Sequence, residues 1–148
     1  MGVGRLTDAT SEQLKRTLPG LPENVVRRVQ HVIGEIGRVD DVLPALAQGD
    51  LPRVGRLLTT SHRSSQYLFE NSTDELDFLV DRLVDCAGVY GARLTGGGFG
   101  GAVLALTDAQ FSAEAASQIA TAYGLRFKVA PGILDLATGG GARVWQSS

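Results

Sequence analysis

Between two runs of β-patterned residues, "YGARLT" and "AVLAL", stands "GGGFGG", and a helix cannot cross that interval. Five glycines in six positions forfeit more backbone entropy on ordering than any other composition, so the segment must be a turn or loop joining two strands. A tight hairpin needs one or two glycines to supply positive φ angles. Gly96, Gly97, Gly98, Gly100 and Gly101 exceed that need and leave main-chain amides with no side chain in front of them, open to a phosphate or to another backbone. Gly96, Gly98 and Gly101 also satisfy G-x-G-x-x-G, but that dinucleotide fingerprint must open a helix, and here a strand follows. A P-loop would need G-K-[ST] after the glycines, and Ala102 and Val103 stand there instead.

The chain before this loop reads as helical. A short helix is expected over 8–18, stopped by Pro19, Gly20 and Pro22. Val25, Val26, Val29, Val32, Ile33 and Ile36 then recur at helical spacing, and the pattern runs to Gly49 with a bend near Pro44. Asp50 is placed to cap a third helix with Pro52 in its first turn, and Val54, Leu57, Leu58, Ser61, Ser65 and Leu68 share one stripe. In "STDEL", Ser72 and Glu75 have capping-box spacing. The acidic residues Asp74, Glu75 and Asp77 suit the positive end of the helix dipole better than a metal. Gly88 closes that helix.

After it, "YGARLT", "GAVLAL", "LRFKVA" and "GARVWQ" read as four strands, with a helix over 108–123 capped by Gly124 between the second and third. Helices followed by two β-pairs predict an α+β fold, a ferredoxin-like antiparallel sheet with helices packed on one face. At 148 residues, 43% of them hydrophobic, the chain suits one domain, helical over 1–88 and sheet-forming over 89–148.

Fourteen Lys and Arg against sixteen Asp and Glu give a net charge of -2 without a basic cluster, so nucleic acid is not an expected partner. The N-terminal residues show neither a secretory signal nor a myristoylation motif, since Leu6 occupies the Ser/Thr position of the latter. No apolar run is long enough for a membrane span, and the single Cys86 fits a reducing compartment; a cytoplasmic protein is expected.

In its ordered motifs the chain resembles the galactokinase family of the GHMP kinase superfamily, in the C-terminal domain alone. The glycine-rich T-G-[AG]-G-F-G-G motif lies at Thr95 to Gly101, the S-H-x-S helix at Ser61 to Ser64, and the P-E-L-D segment at Asp74 to Asp77. The R-A-x-H-V-x-x-E helix is matched through Arg28, His31, Val32 and Glu35, and "GARVW" resembles the closing strand. Asp74 replaces the usual Pro, and Ala102 stands where the family often has Cys.

The resemblance implies an enzyme that, once complete, transfers the γ-phosphate of ATP to galactose or a related sugar with Mg²⁺. The sugar signature, the nucleotide loop and the catalytic Asp and Arg of that family belong to an N-terminal domain outside this sequence. It implies that Thr95, Gly96, Gly97, Gly98, Phe99, Gly100 and Gly101 support the nucleotide-phosphate loop, with Ser61 and His62 as cleft wall and no catalytic residue or metal ligand in this chain.

A helix histidine serves more often as a structural hydrogen-bonder, and Arg93 as an edge residue in an ion pair, so both readings stand for each. The alternative function is a stand-alone, non-catalytic ligand-sensing or protein-interaction module of the same fold. A domain cut from its partner is also expected to self-associate through the exposed interdomain face.

Overall fold

The computed structural model describes residues 4–137, 139, 140 and 144. Short 3₁₀ turns over Leu6–Asp8 and Leu18–Gly20 flank helix α1 (Ser11–Thr17). They lead into the long α2 (Glu23–Ala47), which carries Pro44 in its last turn. Gly49 leaves that helix at φ +68. The Asp50 carboxylate then accepts from the Arg53 amide at 3.0 Å and caps α3 (Leu51–Ser64), as the sequence predicts.

The chain next widens into a π-helical turn over Ser65–Phe69 and breaks at Glu70, whose φ of 59 is left-handed. Helix α4 (Asp74–Val84) is capped by Thr73, one residue beyond the predicted Ser72, because the Ser72 hydroxyl is engaged elsewhere, donating to Asp77 Oδ1 at 2.6 Å.

Strands β1 (Val89–Thr95) and β2 (Ala102–Thr107) pair antiparallel, with Thr95 opposite Ala102 and Leu94 opposite Val103, so "GGGFGG" is the hairpin loop. β1 packs against α3 and α4, and the core lies there: Ala92, Leu94, Val80, Leu76 and Val54 are buried. Alternation along β1 supplies the inward residues, and burial of each large aliphatic side chain contributes roughly 1.5–3 kcal/mol.

α3 approaches β1 backbone to backbone. A Cβ on Gly55 would stand 2.1 Å from the Tyr90 carbonyl oxygen, and one on Gly91 would stand 1.9 Å from the Gly55 oxygen. Gly55 and Gly91, 36 positions apart in helix and strand patterns, are thus one contact.

The α+β class is as the sequence predicts, but the sheet among the described residues has two strands. Helix α5 (Ala113–Phe127) starts later than expected, at the Ser112 cap, and runs through Gly124 to a left-handed Lys128. The predicted third strand, 125–130, is therefore the last turn of α5 and the coil after it. Phe127 stays helical because its ring packs against Phe78 and Tyr123, at 5.6 and 4.8 Å between centroids, one turn beyond Tyr123 on the same face. The predicted fourth strand, "GARVWQ", lies outside the described residues apart from Val144. No helix of the described residues is long and apolar enough to cross a membrane.

Candidate functional site

The glycine loop divides into an anchored half and an open half. At its base, the Phe99 amide donates to the Asn71 carbonyl oxygen at 2.7 Å, and Asn71 Nδ2 donates to the Gly97 oxygen at 3.1 Å. Gly98, at φ +83, lies so close that a Cβ there would meet the Asn71 oxygen at 2.1 Å. Among the described residues, Gly96, Gly97, Gly100 and Gly101 have nothing within 4 Å of where a Cβ would stand, and Gly96, Gly100 and Gly101 hold φ of 78, 112 and 99. The tip is bare backbone in conformations that only glycine adopts without strain.

Thr95 is exposed at the strand end, and the Phe99 ring is 76% exposed on a residue held at φ 58. Phe99 anchors the loop through its amide, while its ring stands exposed among the described residues. Loops presenting successive unobstructed amides suit an anion or a second backbone.

Ser61 and His62 are buried. The amides of Ala92 and Leu94 on β1 turn toward α3 and donate to Thr59 Oγ1 at 3.2 Å and His62 Nδ1 at 3.3 Å. With Nδ1 accepting, the proton of neutral His62 belongs on Nε2, which lies 3.1 Å from Asp77 Oδ1. That approach is out of line for a hydrogen bond, so the pair is electrostatic. Burial lowers the His62 pKa and outweighs the pull of Asp77 in the other direction. The Asp77 carboxylate is also satisfied by the Ser72 hydroxyl and by Gln66 Nε2, each at 2.6 Å. His62 thus braces the junction of α3, β1 and α4.

Ser61 donates to Glu35 Oε2 at 2.7 Å, across to α2. Burial works to raise the Glu35 pKa, but the Ser61 hydroxyl and the Arg38 guanidinium outweigh it and hold the carboxylate ionised below its ordinary range. Arg93 lies 3.9 Å from the same carboxylate, so its charge faces α2 as an ion-paired residue. His31 Nδ1 meets the Ser64 hydroxyl at 2.9 Å, and its ring lies 4.7 Å from that of Phe69. A shallow groove of about 410 Å³ opens beside them along Val32, Glu35, Ile36 and Val39.

Sequence reasoning missed Asn71 altogether. It is buried, and it reaches the loop across 26 positions of sequence through main chain and side chain together. Its only local signal is an Asn directly after the left-handed Glu70.

Helices backing a β-hairpin whose glycine loop is pinned at one side and bare at the other define the class: an α+β domain offering main-chain dipoles at a surface. Residues 42–125, over half of the chain, match the family described as GHMP kinases C terminal, and the chain belongs to that family. It is similar to galactokinase of Thermotoga neapolitana, 40% identical over 129 residues that cover 87% of this chain and 36% of the relative. Human galactokinase is 39% identical over 124 residues, covering 84% of this chain and 32% of the relative. The crystal structure of Lactococcus lactis galactokinase complexed with galactose superposes with a TM-score of 0.81 at 27% identity, over 88% of this chain and 34% of that one. This is a galactokinase-like GHMP kinase C-terminal domain, and it spans about a third of the length of the curated relatives it matches.

Proposed function

We propose that this chain is the single C-terminal domain of a sugar kinase that phosphorylates galactose or a related sugar from ATP, working with an N-terminal catalytic domain. The observation that carries the reading is the loop: its base is fixed on Asn71, while the backbone at Gly96, Gly97, Gly100 and Gly101 is unobstructed among the described residues. Phosphoryl transfer rests on positioning and charge stabilisation. In this reading Thr95 to Gly101 border the phosphates of ATP and support the loop that holds them. They supply backbone dipoles, while Mg²⁺ and the cationic groups are held by the N-terminal domain, since Arg93 faces Glu35. Ser61 and His62 support the wall of the cleft from within, as braces of α3 against α2 and β1.

The test is ADP release with galactose by the purified chain alone, mixed with the N-terminal part of the Thermotoga neapolitana galactokinase, and fused to it. The expected result is no turnover alone and turnover on joining. A folded fusion inert on galactose and on other hexoses would overturn the reading and favour the non-catalytic module.

The N-terminal domain also accounts for the outer face of α2, where Val39, Leu43 and Leu46 are 59%, 63% and 54% exposed. An uncovered apolar face of this kind marks an interface. The isolated chain is expected to self-associate as its concentration rises, and light scattering that reports a monomer across the whole dilution series would contradict this.

A further inference from the structure

Asn71 stands where three elements meet. Its amide donates to the Ser65 oxygen at 3.3 Å, which ties it to the π-helical turn after α3. Its carbonyl accepts from Phe99, its Nδ2 donates to Gly97, and its backbone fills the space a Gly98 side chain would need. The preceding residue is fastened from α2: Arg27 and Arg28 reach the Glu70 carboxylate at 2.9 and 2.6 Å. Arg28 also donates to the Leu68 carbonyl and lies 5.7 Å from the Phe69 ring centroid. The turn that presents Asn71 is thus held from outside the hairpin, and the glycine loop borrows its shape from a residue that glycine-rich backbone cannot replace.

We propose that Asn71 is the positioning residue for the nucleotide end of the kinase reaction, fixing the glycine loop so that its bare amides are set before the phosphates arrive. A loop with five glycines would otherwise have to be ordered by the ligand, at the expense of affinity. The proposal rests on the loop facing the nucleotide as read above, and it adds the residue that preorganises it.

Amide hydrogen exchange on the chain itself tests the clamp without any activity. N71D keeps the side-chain shape but sets an oxygen against the Gly97 oxygen, and N71A removes the donor. G98A presses a Cβ against the Asn71 carbonyl from the other side and leaves Asn71 intact.

Loss of the clamp is expected to accelerate exchange at Phe99 and its loop neighbours roughly tenfold, with the core amides of Val80 and Leu94 unchanged. In an active fusion, the same substitutions are expected to raise KM for ATP severalfold while leaving KM for the sugar as it was. Unaltered loop exchange in folded N71D and G98A overturns the proposal. So does faster exchange with KM for ATP unmoved. An inert parent fusion instead removes the kinase reading and leaves the exchange result to decide the clamp.

Discussion

Gly55→Ala and Gly91→Ala are each expected to destabilise the chain by about 3 kcal/mol or more, at or beyond the upper end of what overpacking usually costs. The reason is what the new methyl group would meet. At Gly55 it falls 2.1 Å from the Tyr90 oxygen, and at Gly91 1.9 Å from the Gly55 oxygen; both obstacles are main chain. A crowding side chain can rotate aside, but here α3 must move off β1 as a body. That movement would also part the Ala92 amide from Thr59 and the Leu94 amide from His62.

Against a typical total of about 5–15 kcal/mol, such a loss removes roughly a fifth to three fifths of the stability. Gly37→Ala is the control, because it lies inside α2 with nothing among the described residues within 4 Å of the new Cβ. It is expected to stabilise by about 0.5–1 kcal/mol through helix propensity. Urea unfolding of the three variants checks both signs. A Gly55→Ala midpoint equal to that of the unsubstituted chain would show that the helix and strand do not touch through their backbones.

That contact also marks the boundary of what the sequence makes legible. The helices over 23–47 and 51–64 are written locally, in apolar spacing, in the Asp50 cap and in Gly49, and the structure follows them closely. The hairpin is equally local, since only a turn accommodates "GGGFGG" between two strand patterns.

Gly55 and Gly91 carry no such signal. Each sits unremarked in its own element, and their meaning arises only when α3 lies along β1. Asn71 is opaque for the same reason, being one polar residue whose partners are main-chain atoms 26 and 28 positions away. The misreading of 125–130 has a different origin. Leu, Phe and Val alternating with Arg and Lys fit a strand, yet tertiary packing of Phe127 on Phe78 favours another helical turn. Gly124 tolerates that turn at a cost of about 1 kcal/mol.

His62→Ala is expected to cost about 3 kcal/mol, because it opens a cavity in the core and strands the buried Leu94 amide without an acceptor. His62→Asn separates the two contributions, since its carbonyl oxygen can accept from Leu94 in place of Nδ1. It is expected to recover part of the loss.

The same pair of variants reads the acid sensitivity of the fold. Burial holds the folded-state pKa of His62 below its ordinary 6.5 against Asp77 and Asp81, which favour the imidazolium, and with Arg63, which opposes it. The unfolded chain therefore binds a proton in the window from 6.5 down to that lowered value, while the folded chain does not. Stability contributed by neutral His62 is complete above 6.5 and declines as pH falls through the window, by at most about 1.4 kcal/mol per pH unit for one proton.

His31, also lowered chiefly by burial, adds in the same direction. Glu35 adds its own loss further down, because its carboxylate is held below the ordinary 4.5 and its stabilisation is present above that value.

Unfolding free energies between about pH 7.5 and pH 5.5 should thus fall for the unsubstituted chain and fall less steeply for His62→Asn, which has no proton to gain at that position. Equal slopes for the two would mean that Asp77 offsets burial and lets His62 take up its proton inside the fold as readily as in the unfolded chain. The bracing of Leu94 would then require the imidazolium to turn its Nδ1 proton away from a donor, an arrangement the 3.3 Å approach of the Leu94 amide opposes.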